Sequence, residues 1–239
     1  MKLYRSQGVV LRTTKLGEAD RIITLCTEEH GKVRAVAKGV RKSGSRFGAR
    51  LEPLAEVQLQ LSRGRNLDIV TQVETVASPH ELREHLGALG HASCMAEAVD
   101  IVMHDREPQP QVYFLLTRAL TALAGDPRPV VAAAFLWKLL ALEGFEPLLL
   151  ECARCGNAGI DRRGFSPGEG GAICENCISV TGWRVEPGTF EALEAVLGGR
   201  VASALRESSA AVGAELERFA LATFEYHFER RLRSSALLL

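Results

Sequence analysis

The sequence has no long hydrophobic run. Its longest uninterrupted apolar stretch, Val130 to Trp137, is too short to cross a bilayer. The first residues enter strand-like sequence at once, with no apolar signal core or cleavage site, so no export signal is read there. Only six cysteines are present, and four of them form two CxxC pairs. Without an export signal these read as metal ligands and not as a disulfide framework. The combination predicts a cytoplasmic protein. Two catalytic patterns are also missing: a recognisable nucleophile–base arrangement, and the His-x-Glu with Pro-Cys-x-x-Cys of the zinc deaminases.

What is present is unevenly distributed. At 239 residues the chain can build two domains with real cores. Its formal net charge of zero conceals a split: residues 1–80 carry 14 Lys and Arg against 8 Asp and Glu, and residues 81–239 carry 15 against 21. Opposite halves suggest one part that faces nucleic acid and one that faces something else. The positive half concentrates in Lys32 to Arg50, which holds Lys32, Arg34, Lys38, Arg41, Lys42, Arg46 and Arg50 and no acidic residue. Its first part alternates apolar and basic residues as a half-buried strand does, and its second is broken by glycine and serine. Phe47 is its single aromatic. A strand feeding such a loop can follow a phosphate backbone and offer a ring to a base. A merely solvated basic loop is the plain alternative.

Short alternating runs follow one another from Gln7 to Val76: Gly8–Arg12, Arg21–Thr27, the Lys32 strand, Ala55–Leu61 and Leu67–Val76. Five strands with one long loop after the third predict a small closed barrel, with an OB-fold as the candidate. From Ser78 the period becomes helical. A helix is expected to about His104, then Val112–Ala124, Val130–Gly144, Pro187–Leu197 and about Glu207–Leu232. His91, Cys94 and His104 lack partners at ligand spacing and are read as structural. Arg230, Arg231 and Arg233 are read as complementing the last helix's dipole. The fold class is therefore α+β. Residues 1–79 form the basic barrel, and residues 80–239 form a helical domain with a metal module inserted at about 151–178.

That module is the sharpest signal. Cys152-x-x-Cys155 and Cys174-x-x-Cys177 are separated by eighteen residues, within the range for four-thiolate zinc. Four thiolates leave no open coordination position, so one structural Zn2+ is expected and no catalytic metal.

Further motifs carry a resemblance. They are Gly8-Val9-Val10-Leu11, Leu16-Gly17-Glu18-Ala19-Asp20-Arg21, His30-Gly31-Lys32, Ala37-Lys38-Gly39-Val40-Arg41 and Ser45-Arg46, followed by Cys152, Cys155-Gly156, Gly170-Gly171, Cys174 and Cys177. In this order the chain resembles the bacterial RecO family of DNA repair proteins, zinc-bearing type, over essentially its whole length. The resemblance implies an N-terminal OB-fold and a helical domain with a zinc-finger insertion. It also implies a non-enzymatic recombination mediator of the cytoplasm and nucleoid, which binds single- and double-stranded DNA and anneals complementary strands. With RecR such a protein helps place RecA on DNA coated by single-strand-binding protein. Two other classes stay open on the residues themselves. One is a nuclease using Glu18, Asp20 and a divalent metal. The other is a zinc ribbon that touches DNA through Arg162 and Arg163.

Overall fold

The computed structural model describes residues 2–45, 47–78, 80–158, 161–180 and 182–238. They form two compact units, residues 1–125 with 233–239, and residues 126–232.

In the first unit β1 (Leu3–Leu16), β2 (Asp20–Thr27), β3 (Gly31–Ala37), β4 (Glu56–Ser62) and β5 (Asp68–Ala77) close into a barrel of order β1-β2-β3-β5-β4. Every neighbouring pair is antiparallel except β3 with β5. This is the OB topology expected from the strand spacing. Closure depends on β1, which pairs with both β2 and β4, and its register against β2 shifts between Val10 and Arg12. Such an irregularity lets a long strand bend around a barrel. Alternation decides what is inside: Val33, Ala35 and Ala37 point into the core with Ile23, Leu25, Val57, Leu59 and Leu61, while Lys32, Arg34 and Val36 face out. Each large apolar side chain so buried contributes roughly 1.5–3 kcal/mol.

The β3–β5 seam is short, with partners only at Ala35–Asp68 and Val36–Ile69. Below it the chain after the second helix takes over. The Lys32 N–H donates to the His104 carbonyl (3.4 Å), and the Arg106 N–H donates to the Lys32 carbonyl (2.9 Å). This segment passes directly over Gly31, where a Cβ would lie 2.0 Å from the Glu107 carbonyl oxygen. Arg106 then reaches Asp68, which is fully buried and also accepts from the Tyr4 hydroxyl and the Gly64 N–H. Burial alone would raise the Asp68 carboxyl, but Tyr4, Gly64 and Arg106 outweigh it and hold it below the usual carboxylate range. A depressed folded value means stability that is present above the unfolded carboxyl value, about 3.9, and lost as pH falls through the folded one. Asp68→Asn is therefore expected to cost about 2 kcal/mol at pH 7. Urea midpoints should show the gap from wild type closing below about pH 4. A gap independent of pH would contradict this account of Asp68.

Helices α1 (His80–Glu84), α2 (Leu86–Val102) and α3 (Pro110–Gly125) pack in the same unit. The single helix expected from Ser78 is interrupted at His85, which is extended. His85 and Gly87 are weak helix formers. Leu82 and Leu86 do not share a face: Leu82 is 1% exposed and Leu86 74%. Pro79, read as the first helical residue, lies outside the described residues. His91 and Cys94 are buried in α2. Glu97 of α2 accepts from the N–H groups of Arg233 and Ser234, so a C-terminal 3-10 helix, Arg233–Leu238, docks on it. Nothing local in the sequence announces that pairing.

The second unit is built on α4 (Pro129–Leu142) and, further on, β6 (Arg162–Ser166), β7 (Gly171–Cys174), α5 (Glu175–Ile178), β8 (Trp183–Arg184), α6 (Thr189–Leu197), α7 (Val201–Glu207) and α8 (Ala210–Phe228). Helices α4 and α8 are joined through the Trp137 indole N–H, which donates to the Leu216 carbonyl. Phe165 of β6 stacks on Phe219 at 4.8 Å and meets Trp137 edge-on at 5.7 Å. These rings pin the small sheet to the helices. Buried Glu215 accepts from the Glu186 N–H and the Thr189 hydroxyl, which fixes the start of α6. The last helix begins only at Ala210, where the Ser209 hydroxyl caps the Val212 N–H. It ends at Phe228, where Glu229, with φ 51°, turns the chain out of the helix. Arg230, Arg231 and Arg233 thus lie beyond the helix, and the expectation that they complement its dipole is corrected.

Candidate nucleic-acid interface and metal centre

The basic stretch leaves the barrel at the end of β3. Its loop is held by the β1–β2 turn: Asp20 accepts from the Gly39 N–H (2.7 Å), and the Arg41 N–H donates to the Ala19 carbonyl (2.9 Å). The Arg41 guanidinium also donates to the Gly17 carbonyl. The motif Gly17-Glu18-Ala19-Asp20 therefore works as a clamp on the cationic loop. Arg21 pairs with Glu52 across the unit and not with neighbouring Asp20.

The sequence-predicted contacts separate into three groups. Lys38, Arg41 and Lys42 are exposed on the loop and Arg34 is exposed on β3, and among the described residues no carboxylate pairs with any of them. Arg50 is exposed beside a shallow groove of about 620 Å³ that Thr71, Gln72 and Glu74 also line. Lys32 is otherwise employed. Its ammonium donates to the Asp100 carbonyl (2.6 Å) and lies 3.5 Å from the Asp100 carboxylate, which also holds Arg12. It braces the barrel against α2 and is not an open phosphate contact. Phe47 requires the second correction. It is 8% exposed and joins Val40 and Leu51 in the barrel core, so its ring is not presented for base stacking. A lone aromatic in a charged loop gained more from covering the barrel end than from solvent exposure. Arg46 lies outside the described residues.

Arg63 and Arg65 are both exposed in the β4–β5 loop and lie outside the basic stretch that the sequence singles out. The parallel register Ala35–Asp68 puts Arg34 next to the end of that loop. On an OB barrel the β1–β2 and β4–β5 loops flank the ligand face, which is the signal that could have found them.

The second site gathers all four cysteines of the two CxxC pairs, with sulfurs within 4.8 Å of one another. Cys155 Sγ and Cys174 Sγ are 3.9 Å apart. Tetrahedral bonds of about 2.3 Å separate sulfurs by roughly that distance, so the donor set fits a four-coordinate thiophilic cation. The Gly156 N–H donates to the Cys152 carbonyl, and Gly156 has φ 70°, which gives the tight turn the knuckle needs. Burial would raise the Cys152 thiol, but the N–H groups of Cys174, Cys155 and Arg154 bring it down to about 6. Cys177, hydrogen-bonded to Cys174, is pushed up to about 12. A cation among them would let all four ionise together. Among the described residues no other group of three or more His, Cys, Asp or Glu is placed to hold a metal. The arginines of this module are engaged: Arg154 with Glu169, Arg162 with Glu194 and Arg163 with Asp161.

Fold and sites together define a class, an OB-barrel protein with a cationic barrel-end loop, a helical extension and a four-cysteine metal knuckle. The family model described as Recombination protein O N terminal matches residues 1–79, and that described as Recombination protein O C terminal matches residues 83–236. The chain belongs to the RecO family. It is 43% identical over 247 residues to the DNA repair protein RecO of Cutibacterium acnes, with 100% of this chain and 99% of that protein covered. It is 41% identical over 247 residues to the DNA repair protein RecO of a Nocardioides species, with 98% of each covered. No helix among the described residues is long and apolar enough to cross a membrane.

Proposed function

We propose that this chain is a DNA repair and recombination mediator that acts by binding and not by catalysis. It holds the backbones of single- and double-stranded DNA on residues 1–79, anneals complementary strands, and with RecR helps load RecA onto DNA coated by single-strand-binding protein. It works in the cytoplasm, on the nucleoid. One structural Zn2+ held by Cys152, Cys155, Cys174 and Cys177 organises the 151–178 module.

The observation that carries the DNA reading is the contrast in pairing. Arg12, Arg21, Lys32 and Arg106 of the first unit are matched by carboxylates, whereas Arg34, Lys38, Arg41 and Lys42 are exposed and, among the described residues, without one. Unmatched cations on a loop and the adjoining strand suit phosphates and read no base sequence. Exposed Arg50 lies further along the same stretch, and exposed Arg63 and Arg65 continue the track past Arg34. Arg46, outside the described residues, is assigned to DNA contact from the sequence alone. Annealing needs no bond chemistry, because a cationic surface lowers the repulsion between two phosphate backbones while pairing finds its register. The full chain should accelerate annealing of complementary oligonucleotides without ATP and leave their length unchanged with magnesium present. A Lys38→Ala, Arg41→Ala, Lys42→Ala variant should lose most of that acceleration. Annealing equal to the parent's would sink the assignment of this loop.

A further inference from the structure

We propose that the outer edge of the small sheet in the second unit is a docking site for an extended, basic and apolar peptide segment of a protein partner. The chain leading into the knuckle runs parallel to β7. The Leu148 N–H donates to the Gly170 carbonyl, and the Leu148 carbonyl accepts from the Ala172 N–H. In a parallel ladder the residues either side of Leu148 aim their backbone groups away from β7. Among the described residues, neither the Leu149 N–H nor the carbonyls of Pro147 and Leu149 are hydrogen-bonded within the protein. The bridge at Leu148 is isolated, so these groups make a short stretch of open sheet edge, of the kind that accepts an added strand.

Side chains give the edge its selectivity. Leu148 is 49% exposed and Leu150, in the bend that follows, 84%, a local concentration of exposed large apolar side chains. They line a groove of about 660 Å³ with Glu194 and Leu197 of α6 and Gly198 after it, Glu194 being paired with Arg162. Glu146 and Glu151 also line it and are exposed, and among the described residues no cation pairs with either side chain. Apolar contacts flanked by two unmatched carboxylates complement a segment that alternates Val or Leu with Lys or Arg. They repel an acidic tail. Pro147 supplies no N–H, so pairing is limited to a short register centred on Leu149.

The test uses the full chain and a fluorescent peptide of about ten residues alternating Lys and Val, against the same peptide with Glu for Lys. The basic peptide should bind saturably and the acidic one should not. The Leu149 amide should gain protection from hydrogen exchange when the basic peptide is bound. Leu150→Arg, a change at a largely exposed position, should weaken binding about tenfold. No saturable binding, equal binding of the two peptides, or binding indifferent to Leu150→Arg would overturn the proposal. Self-association of the chain abolished by Leu150→Arg would overturn it too, by giving the edge to a second copy.

Discussion

Replacing Cys174 with Ala should abolish metal binding and lower the melting temperature of the second unit by about 15 °C. The size follows from what the knuckle holds. The Cys174 N–H also donates to Cys152 Sγ, and Cys174 ends β7, whose partner β6 carries Phe165 between Trp137 and Phe219. Losing one ligand leaves three thiols whose close packing no longer has a cation to hold it. The disorder then spreads through β7 to the aromatic contacts that anchor the module. On the proposed Zn2+ assignment, zinc content should fall from about one per chain towards zero. Calorimetry of wild type with a chelator should reproduce the shift. Metal-free protein as stable as the native would contradict the structural role assigned to these cysteines.

Gly31→Ala should cost the first unit about 4 kcal/mol, seen as a fall in the urea midpoint. Gly31 has φ 65°, which costs an alanine about 1 kcal/mol. The rest comes from space. A methyl group 2.0 Å from the Glu107 carbonyl cannot be accommodated, so the 104–107 segment must lift off β3. That breaks the two backbone hydrogen bonds at Lys32, about 1 kcal/mol each, and strains the Arg106–Asp68 pair. Gly17 is the control. Its φ is 55° and nothing lies within 4 Å, so Gly17→Ala should cost only about 1 kcal/mol. Equal losses at the two positions would mean that the seam over Gly31 contributes nothing.

The local parts of this structure were readable in the sequence and the distant pairings were not. Alternation of Val33, Ala35 and Ala37 with charged residues announces β3, because each strand's burial is set by its own pleat. The knuckle was readable because its spacing is itself the coordination geometry. Lys32 and Phe47 looked like neighbours of the same basic face. Their fates were decided by Asp100, sixty-eight residues away, and by the open end of the barrel. Neither leaves a mark on local composition. The strand substitute at 104–106 and the docking of the C-terminal 3-10 helix on Glu97 are contacts of the same kind. Asp20 shows the reverse case. A carboxylate beside basic strands leaves both a metal-binding and a structural use open on sequence alone, and its oxygen takes the structural one by holding the Gly39 N–H.

The central claim is that the exposed cations of the 38–42 loop hold DNA phosphates. Each phosphate neutralised releases condensed counterions, and log affinity for single strands falls by about 0.7 per contact against log salt. The most direct measurement is this slope for the full chain and for its Lys38→Ala, Arg41→Ala, Lys42→Ala variant on single-stranded DNA. The account predicts a slope shallower by about 2 in the variant, with binding weakened alike for unrelated sequences and the fold intact. An unchanged slope at full affinity would contradict it and leave the loop as solvated surface.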